Sequence, residues 1–341
     1  MKKSDFYFDL PEQLIAQHPL AQRDASRLMV LNRSNGSVQH CHFRDLLEYV
    51  QPGDCMVLNN SRVIPARLMG HAVGRTAPIE VLLLTDKGNG LWECLTRPGR
   101  KTREGVELTF GDGLLTATVE QVQPDGNRLI RFHYSGIFLE ILDKLGSMPL
   151  PPYIKEKLSD PERYQTVYSK TPGSAAAPTA GLHFTTELLD KLVQKDVQLA
   201  FVTLHVGLGT FRPVKENEIT DHVMHSEYYV MEETAAQQIN RAHDAGRKIW
   251  AVGTTACRTL ETVADQTGHV RAQSGWTDIF IYPGYRFKVV DHLVTNFHLP
   301  ESTLMMLISA FATREMVMDA YRQAIEQEYR FFSFGDSMLL Y

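Results

Sequence analysis

The chain is poor in cysteine. Its four thiols, Cys41, Cys55, Cys94 and Cys257, stand far apart in 341 residues, and no two form a CxxC pair. That excludes a disulfide framework and the usual sequence signature of a structural zinc knuckle, and makes a reducing compartment the simpler home. Charge of one sign is also scarce: 35 Lys and Arg against 40 Asp and Glu give a formal net charge of −5. A polyanion-binding surface spread over the whole molecule is thereby excluded, but a local basic patch is not, because binding follows where charge sits more than its sum. No apolar run reaches the roughly 20 residues that span a bilayer, and Lys2 and Lys3 lead into no apolar signal segment. Internal repeats and low-complexity stretches are absent as well. These absences lead to the expectation of a cytoplasmic protein without a membrane partner, and the length favours two domains over one.

What is present changes character along the chain. Asp9 is placed to cap a helix begun by Pro11, and Cys55-Met-Val-Leu reads as a buried strand ending in the polar turn Asn59-Asn-Ser-Arg62. Between about Gly70 and Leu150, short β-type runs alternate with Lys87-Gly-Asn-Gly, Gly111-Asp-Gly and Pro124-Asp-Gly-Asn, all turn chemistry. This predicts a small antiparallel barrel over 70–149. After Pro149-Leu-Pro-Pro152 strand and helix patterns alternate. Strands are expected at 197–206, 227–231, 248–252, 278–282 and 293–296, with helices over 232–245, from Gly253, and over 304–312 behind a Ser302 cap. The expected class is α/β: a mixed-sheet, barrel-like main domain of residues 1–69 and 150–341, into which the β-barrel is inserted.

Several segments carry residues suited to chemistry. Ala175-Ala-Ala-Pro-Thr-Ala-Gly-Leu-His-Phe-Thr185 brackets Thr179 and His183 around Gly181, which can adopt φ > 0. It is either a ligand wall carrying a proton-transfer group or a tight loop with a satisfied core histidine. Leu204-His-Val-Gly-Leu-Gly-Thr-Phe211 places Gly207, Gly209 and Thr210 beside His205 at a strand end, where backbone amides can approach a ligand. It lacks the third glycine of a dinucleotide fingerprint. Val252-Gly-Thr-Thr-Ala-Cys-Arg258 joins a strand to a helix N-terminus, so Thr254 and Thr255 are placed to hold an anion, with Arg258 one turn further on. His225 and Glu227 sit two apart on an expected strand and hence on one face, as a base and its carboxylate partner. His298 follows another strand. The histidines show no metalloprotease spacing, so no metal is expected, although a metal site built from them is the rival to weigh. Arg97-Pro-Gly-Arg-Lys-Thr-Arg103 is the densest basic run, with Arg62, Arg67, Lys155, Lys157 and Arg163 as weaker candidates for phosphate contact.

Taken together, these segments resemble the S-adenosylmethionine:tRNA ribosyltransferase-isomerases of queuosine biosynthesis. The stretches that carry the resemblance include Val57-Leu-Asn-Asn-Ser-Arg-Val-Ile-Pro-Ala-Arg-Leu68, Met148-Pro-Leu-Pro-Pro-Tyr-Ile154, Ala177-Pro-Thr-Ala-Gly-Leu-His-Phe184 and Leu204-His-Val-Gly-Leu-Gly-Thr-Phe-Arg-Pro213. Asp278-Ile-Phe-Ile-Tyr-Pro-Gly-Tyr285, Thr295-Asn-Phe-His-Leu-Pro300 and Tyr329-Arg-Phe-Phe-Ser-Phe-Gly-Asp336 continue it to the end of the chain in family order. The resemblance implies an α/β domain with an inserted barrel. It also implies transfer of the ribosyl part of S-adenosylmethionine to 7-aminomethyl-7-deazaguanine at the wobble position of a tRNA with a GUN anticodon. The expected products are epoxyqueuosine-tRNA, adenine and methionine. No cofactor and no obligate protein partner are implied, S-adenosylmethionine being consumed as co-substrate, and a monomer is expected. In that light His183, His205, His225 and Glu227 are the expected catalytic groups. Asn60, Arg62, Thr179, Gly181, Gly207, Gly209, Thr210, Thr254, Thr255, Asp278, Tyr282 and His298 are the expected substrate contacts. Arg97, Arg100, Lys101, Arg103 and Arg258 are the expected tRNA contacts. A metal-dependent enzyme on the same histidines and a non-catalytic tRNA-binding protein are the alternatives.

Overall fold

The computed structural model describes all residues except Lys157 and 208–213. In chain order the first strands are β1 (Arg27–Leu31), β2 (Val38–His42), β3 (Cys55–Asn59) and β4 (Ser61–Val63). Then come β5 (Arg67–Ala72), β6 (Pro78–Asp86), β7 (Leu91–Arg97), β8 (Glu107–Phe110), β9 (Leu115–Val122) and β10 (Arg128–His133), followed by α1 (Phe138–Leu145), β11 (Gly146–Ser147) and β12 (Thr171–Ser174). The remainder is α2 (Thr186–Gln194), β13 (Gln198–Leu204), β14 (Glu227–Met231), α3 (Glu233–Asp244), β15 (Ile249–Val252), α4 (Gly253–Val263), β16 (Gln273–Thr277), β17 (His292–Asn296), α5 (Thr303–Phe311), α6 (Arg314–Glu326) and β18 (Ser337–Leu340). Two compact units result: Met1–Ser61, Pro152–Thr171 and Pro178–Tyr341 form the first, Arg62–Pro151 and Pro172–Ala177 the second.

The first unit holds a nine-stranded mixed sheet in the order β16-β14-β13-β3-β15-β17-β18-β1-β2. Its centre, β13-β3-β15-β17, is wholly parallel, with β14 antiparallel to β13. Parallel strands are covered on both faces and so read as continuous apolar runs. Cys55-Met-Val-Leu-Asn and Ile249-Trp-Ala-Val are buried at every position. A core of Phe43, Leu46, Met56, Leu58, Phe184, Leu188, Trp250, Val252, Val294 and Leu339 packs on the sheet. The one polar atom of Trp250, its indole N–H, donates to Asp54 Oδ2 at 2.9 Å. The Ser302 cap is present, its Oγ accepting from the Met305 amide at 3.2 Å. Asp9 caps nothing: the turn behind Pro11 is a three-residue 3₁₀ helix, Glu12–Leu14, without a side-chain cap.

The second unit is an antiparallel barrel. Its order β5-β6-β7-β10-β9-β8 closes through β5–β8 pairing, with β11 alongside β5. Closure removes sheet edges. The alternation in β7, with Trp92, Cys94 and Thr96 buried between part-buried neighbours, shows which face lines the interior. The barrel begins before Gly70: β5 starts at Arg67, in a stretch without an obvious turn signal.

Candidate active site

Four parallel strands end side by side, which places Asn59, Leu204–His205, Val252–Gly253 and Asn296 along one edge of the large sheet. Such C-terminal edges are where open α/β sheets form ligand crevices. The fully buried Asn59 side chain ties two strand ends together. Its Nδ2 donates to the Leu204 carbonyl at 3.0 Å, and its Oδ1 accepts from the amides of Leu204 at 3.0 Å and Ser61 at 3.1 Å. Asn60 follows suit, its Oδ1 accepting from Thr203 Oγ1 at 2.7 Å. Ser61 Oγ lies 2.8 Å from His205 Nδ1. Partial burial lowers the pKa of His205 below the ordinary 6.5, so the ring is neutral at neutral pH and Nδ1 is the nitrogen already engaged. Its ring centroid is 6.5 Å from that of Tyr228, at 19° between planes, and Tyr228 meets Trp276 edge-on at 5.4 Å. Trp276 is 50% exposed, so this aromatic row runs from the strand ends outward to solvent.

Because β14 is antiparallel to β13, its first residue, Glu227, comes to the same edge. Glu227 is 4% exposed and pairs with Arg258, 3% exposed, from α4. Its other oxygen, Oε1, accepts the Gly207 amide at 3.1 Å. Two charges removed from water need close partners of this kind. The turn into α4 uses Gly253 at φ +87°, a conformation that disfavours side chains, and a Cβ there would stand 3.5 Å from Ala180 Cβ. Thr254 and Thr255 follow, both over nine-tenths buried. Thr255 Oγ1 and Arg258 Nε are buried without a hydrogen-bond partner. Buried donors normally find an acceptor, so this corner is shaped for a polar ligand.

His183 is 4% exposed and stacks on Phe43 at 4.9 Å. Asn296 Nδ2 donates to Phe332 O at 3.0 Å and approaches His183 Nε2 at 3.2 Å, while His183 Nδ1 lies 2.7 Å from Ser26 Oγ. With the amide donating to Nε2, the proton belongs on Nδ1. Burial, with the Arg330 and Arg23 charges nearby, brings the pKa down to about 3. Both ring nitrogens are therefore occupied. His183 is the satisfied core histidine of the two readings, and it joins Ser26 to the strand-end residue Asn296.

The model of the family described as "Queuosine biosynthesis protein" matches residues 3–340. The chain belongs to that family. Similar curated proteins from Acetivibrio thermocellus (58% identity) and Clostridium kluyveri (59%) cover 100% of both chains and bear the name S-adenosylmethionine:tRNA ribosyltransferase-isomerase. A solved structure, the S-adenosylmethionine tRNA ribosyltransferase of Thermotoga maritima, is 41% identical over 99% of this chain and 100% of that one, with a TM-score of 0.57.

Of the family segments singled out by sequence, the fold gathers some and disperses others. His205, Asn60, Gly207, Glu227, Thr254 and Thr255 come together at the sheet edge. Arg258, expected as a tRNA contact, joins them, its guanidinium buried against Glu227. His225 is exposed and precedes β14, so it shares no strand face with buried Glu227. Asp278 is exposed and Tyr282 part-buried beyond β16, which ends at Thr277; the expected strand over 278–282 is absent, the chain there running without strand pairing to a turn at Pro283–Gly284. His298 is a packed residue, its Nε2 2.9 Å from Thr295 Oγ1 and its amide donating to Tyr321 Oη at 2.8 Å. Gly181 lies in the 3₁₀ turn Thr179–His183 and needs no positive φ. Its missing Cβ matters instead because that atom would fall 2.0 Å from Tyr168 Oη. Thr179 is part-buried in the same turn. Gly209 and Thr210 lie outside the described residues. In the second unit Arg62 is part-buried, and the turn after β7 exposes Arg97, Arg100 and Arg103 while Lys101 is part-buried. Among the described residues no three His, Cys, Asp or Glu side chains gather as a metal-binding set. No helix among them is long and apolar enough to cross a membrane. Asn59, Ser61 and Asn296 were not singled out as site residues by sequence. The signal for Asn59 was an asparagine ending an otherwise apolar buried strand.

Proposed function

We propose that this protein transfers and isomerises the ribosyl moiety of S-adenosylmethionine onto 7-aminomethyl-7-deazaguanine at the wobble position of a GUN-anticodon tRNA. The products are epoxyqueuosine-tRNA, adenine and methionine, and S-adenosylmethionine is consumed with no further cofactor. The observation that carries this reading is full-length similarity, at 58–59% identity, to proteins bearing the transferase-isomerase name. The sheet-edge chemistry agrees with it. The sulfonium acidifies its C5′–H, so a neutral imidazole is a sufficient base, and His205 offers one with Nε2 away from its Ser61 bond. When the C5′–S bond breaks, its electron pair returns to sulfur and methionine leaves as a neutral thioether. The aminomethyl nitrogen, freed of its ammonium proton, forms the new bond to the ribosyl carbon skeleton with its lone pair, and adenine departs with the electron pair of its glycosidic bond and takes up a proton at its ring nitrogens.

The unpartnered Thr255 Oγ1 and Arg258 Nε are suited to the methionine carboxylate, which the N-terminus of α4 also favours. Glu227 is already neutralised by Arg258 and holds the Gly207 amide, so it serves as a positioning group for both. Trp276 and Tyr228 present aromatic faces next to His205 for a base or the sulfonium. The test is incubation of precursor-bearing tRNA with S-adenosylmethionine, then mass spectrometry of the digested nucleosides and assay of free adenine. Epoxyqueuosine and stoichiometric adenine are expected. Intact S-adenosylmethionine over verified substrate tRNA would overturn the proposal.

A further inference from the structure

A second recess lies on the Ser26 side of His183. It encloses about 290 Å³, counting the solvent at its mouth, and is lined by Leu20, Arg23, Ser26, Arg163, His183 and Ser333, among others. Two guanidinium groups share it. Arg23 donates through Nη1 to the Leu182 carbonyl at 3.0 Å and through Nη2 to the Glu162 carbonyl at 3.1 Å. Arg163 donates to the carbonyls of Ala21 and Leu20. A third, Arg330, grips the carbonyl of His18. Arg163 and Arg330 thus bind backbone carbonyls of residues 18–21 and Arg23 those of Glu162 and Leu182, and among the described residues no carboxylate lies within ion-pair distance of the three. Asp160 and Glu162 act on Arg23 only from further off, as does Asp336 on Arg330. One donor in the recess is left over: Arg163 Nε is buried without an acceptor, as is Nη1 of Arg330 outside the recess lining. Burial and the neighbouring Arg163 charge both hold the pKa of Arg23 below its ordinary value. Like charges held together and out of water favour an anion between them.

We propose that this recess is a phosphate site for the RNA substrate, Arg23 and Arg163 clasping one backbone phosphodiester next to the nucleotide being modified. The inference rests on the tRNA-modifying function proposed above. The methionine carboxylate has its own unpaired donors at Thr255 and Arg258, which leaves the arginine recess to a second anion. The chain Ser26–His183–Asn296 connects it to the strand ends, so a phosphate held here registers the RNA against the sheet edge.

The experiment compares wild-type enzyme with Arg163→Gln and Leu20→Glu, measuring tRNA binding directly by fluorescence anisotropy across a salt series. KM values for tRNA and for S-adenosylmethionine are read alongside. Leu20→Glu puts a negative charge at the recess without touching the guanidinium groups, so it serves should Arg163→Gln fail to fold. Either variant should weaken tRNA binding about tenfold, the value of one charge-assisted contact. In Arg163→Gln the slope of log affinity against log salt should fall by about one. The KM for S-adenosylmethionine should not move. Unchanged tRNA affinity in a folded variant overturns the proposal, and so does a rise confined to the KM for S-adenosylmethionine, which would assign the recess to the co-substrate. A wild-type enzyme that releases no adenine defeats the proposed function instead. The recess is still judged in that case, because RNA affinity is read without turnover.

Discussion

The edge of the parallel strands and the six-stranded barrel handle their buried polar groups in opposite ways. In the barrel unit such groups answer one another: the buried Thr96 and Thr102 hydroxyls lie 2.6 Å apart, and on the outer face of β7 Glu93 accepts from Asn127 Nδ2 at 2.7 Å. Arg67 Nε, without a hydrogen bond, still faces Glu80 at 3.7 Å. At the sheet edge an ion pair is buried outright, and Thr255 Oγ1, Arg258 Nε and Asn296 Oδ1 are left without partners. Natural proteins satisfy buried polar groups unless something else is to fill the place. The barrel is thus built for its own stability, and the sheet edge is built for a guest.

The contrast can be broken by substitution, and the largest effect belongs to Glu227. Glu227→Ala strands a buried guanidinium and frees the Gly207 amide. It should cost about 3–5 kcal/mol in denaturant unfolding, and stability close to wild type would show the pair to be dispensable. Next comes His205→Ala, expected to lower the rate of adenine release by about two orders of magnitude with an unchanged unfolding midpoint. Loss of both together would demote His205 to a packing residue.

A smaller effect is set by pH. Burial pushes His183 and His298 down to about 3, whereas an unfolded ring titrates near the ordinary 6.5. Between those values the unfolded chain holds more protons, so the stability these rings contribute is complete above about 6.5 and drains away as pH falls toward 3. His298→Gln should flatten that decline in a pH series of unfolding midpoints, and an unaltered slope would contradict the assignment. Smallest is the exposed barrel pair Arg131–Glu120, where Arg131→Ala should leave the unfolding midpoint in place, because solvent screens such pairs. A large loss there would erase the distinction between the two regions.

The barrel strands could be read from the chain because their signals are local. The turns Lys87-Gly-Asn-Gly, Gly111-Asp-Gly and Pro124-Asp-Gly-Asn fall between β6 and β7, β8 and β9, and β9 and β10, since turn chemistry acts within a few residues. The helix from Gly253 and the Ser302 cap were legible for the same reason. The site was only half legible. Thr254 and Thr255 announce themselves by following a strand and a glycine. The Glu227–Arg258 pair does not, since its members stand 31 positions apart in the sequence and come from different elements, β14 and α4. Pairing His225 with Glu227 by the two-residue period failed because the strand begins at Glu227 itself, so the period did not yet apply. His183 shows the same limit: proximity to a small-residue turn suggested catalysis, but only the fold reveals Ser26 and Asn296 on its two nitrogens.

The central claim is that the strand-end groups, with His205 as base, perform ribosyl transfer. The most direct measurement is single-turnover formation of epoxyqueuosine on precursor tRNA by wild-type enzyme and by His205→Ala, followed by mass spectrometry of the nucleosides. The account predicts epoxyqueuosine from the wild type and a rate at least about a hundredfold lower from the variant at equal tRNA and S-adenosylmethionine affinity. Epoxyqueuosine formed at the wild-type rate by His205→Ala would contradict it.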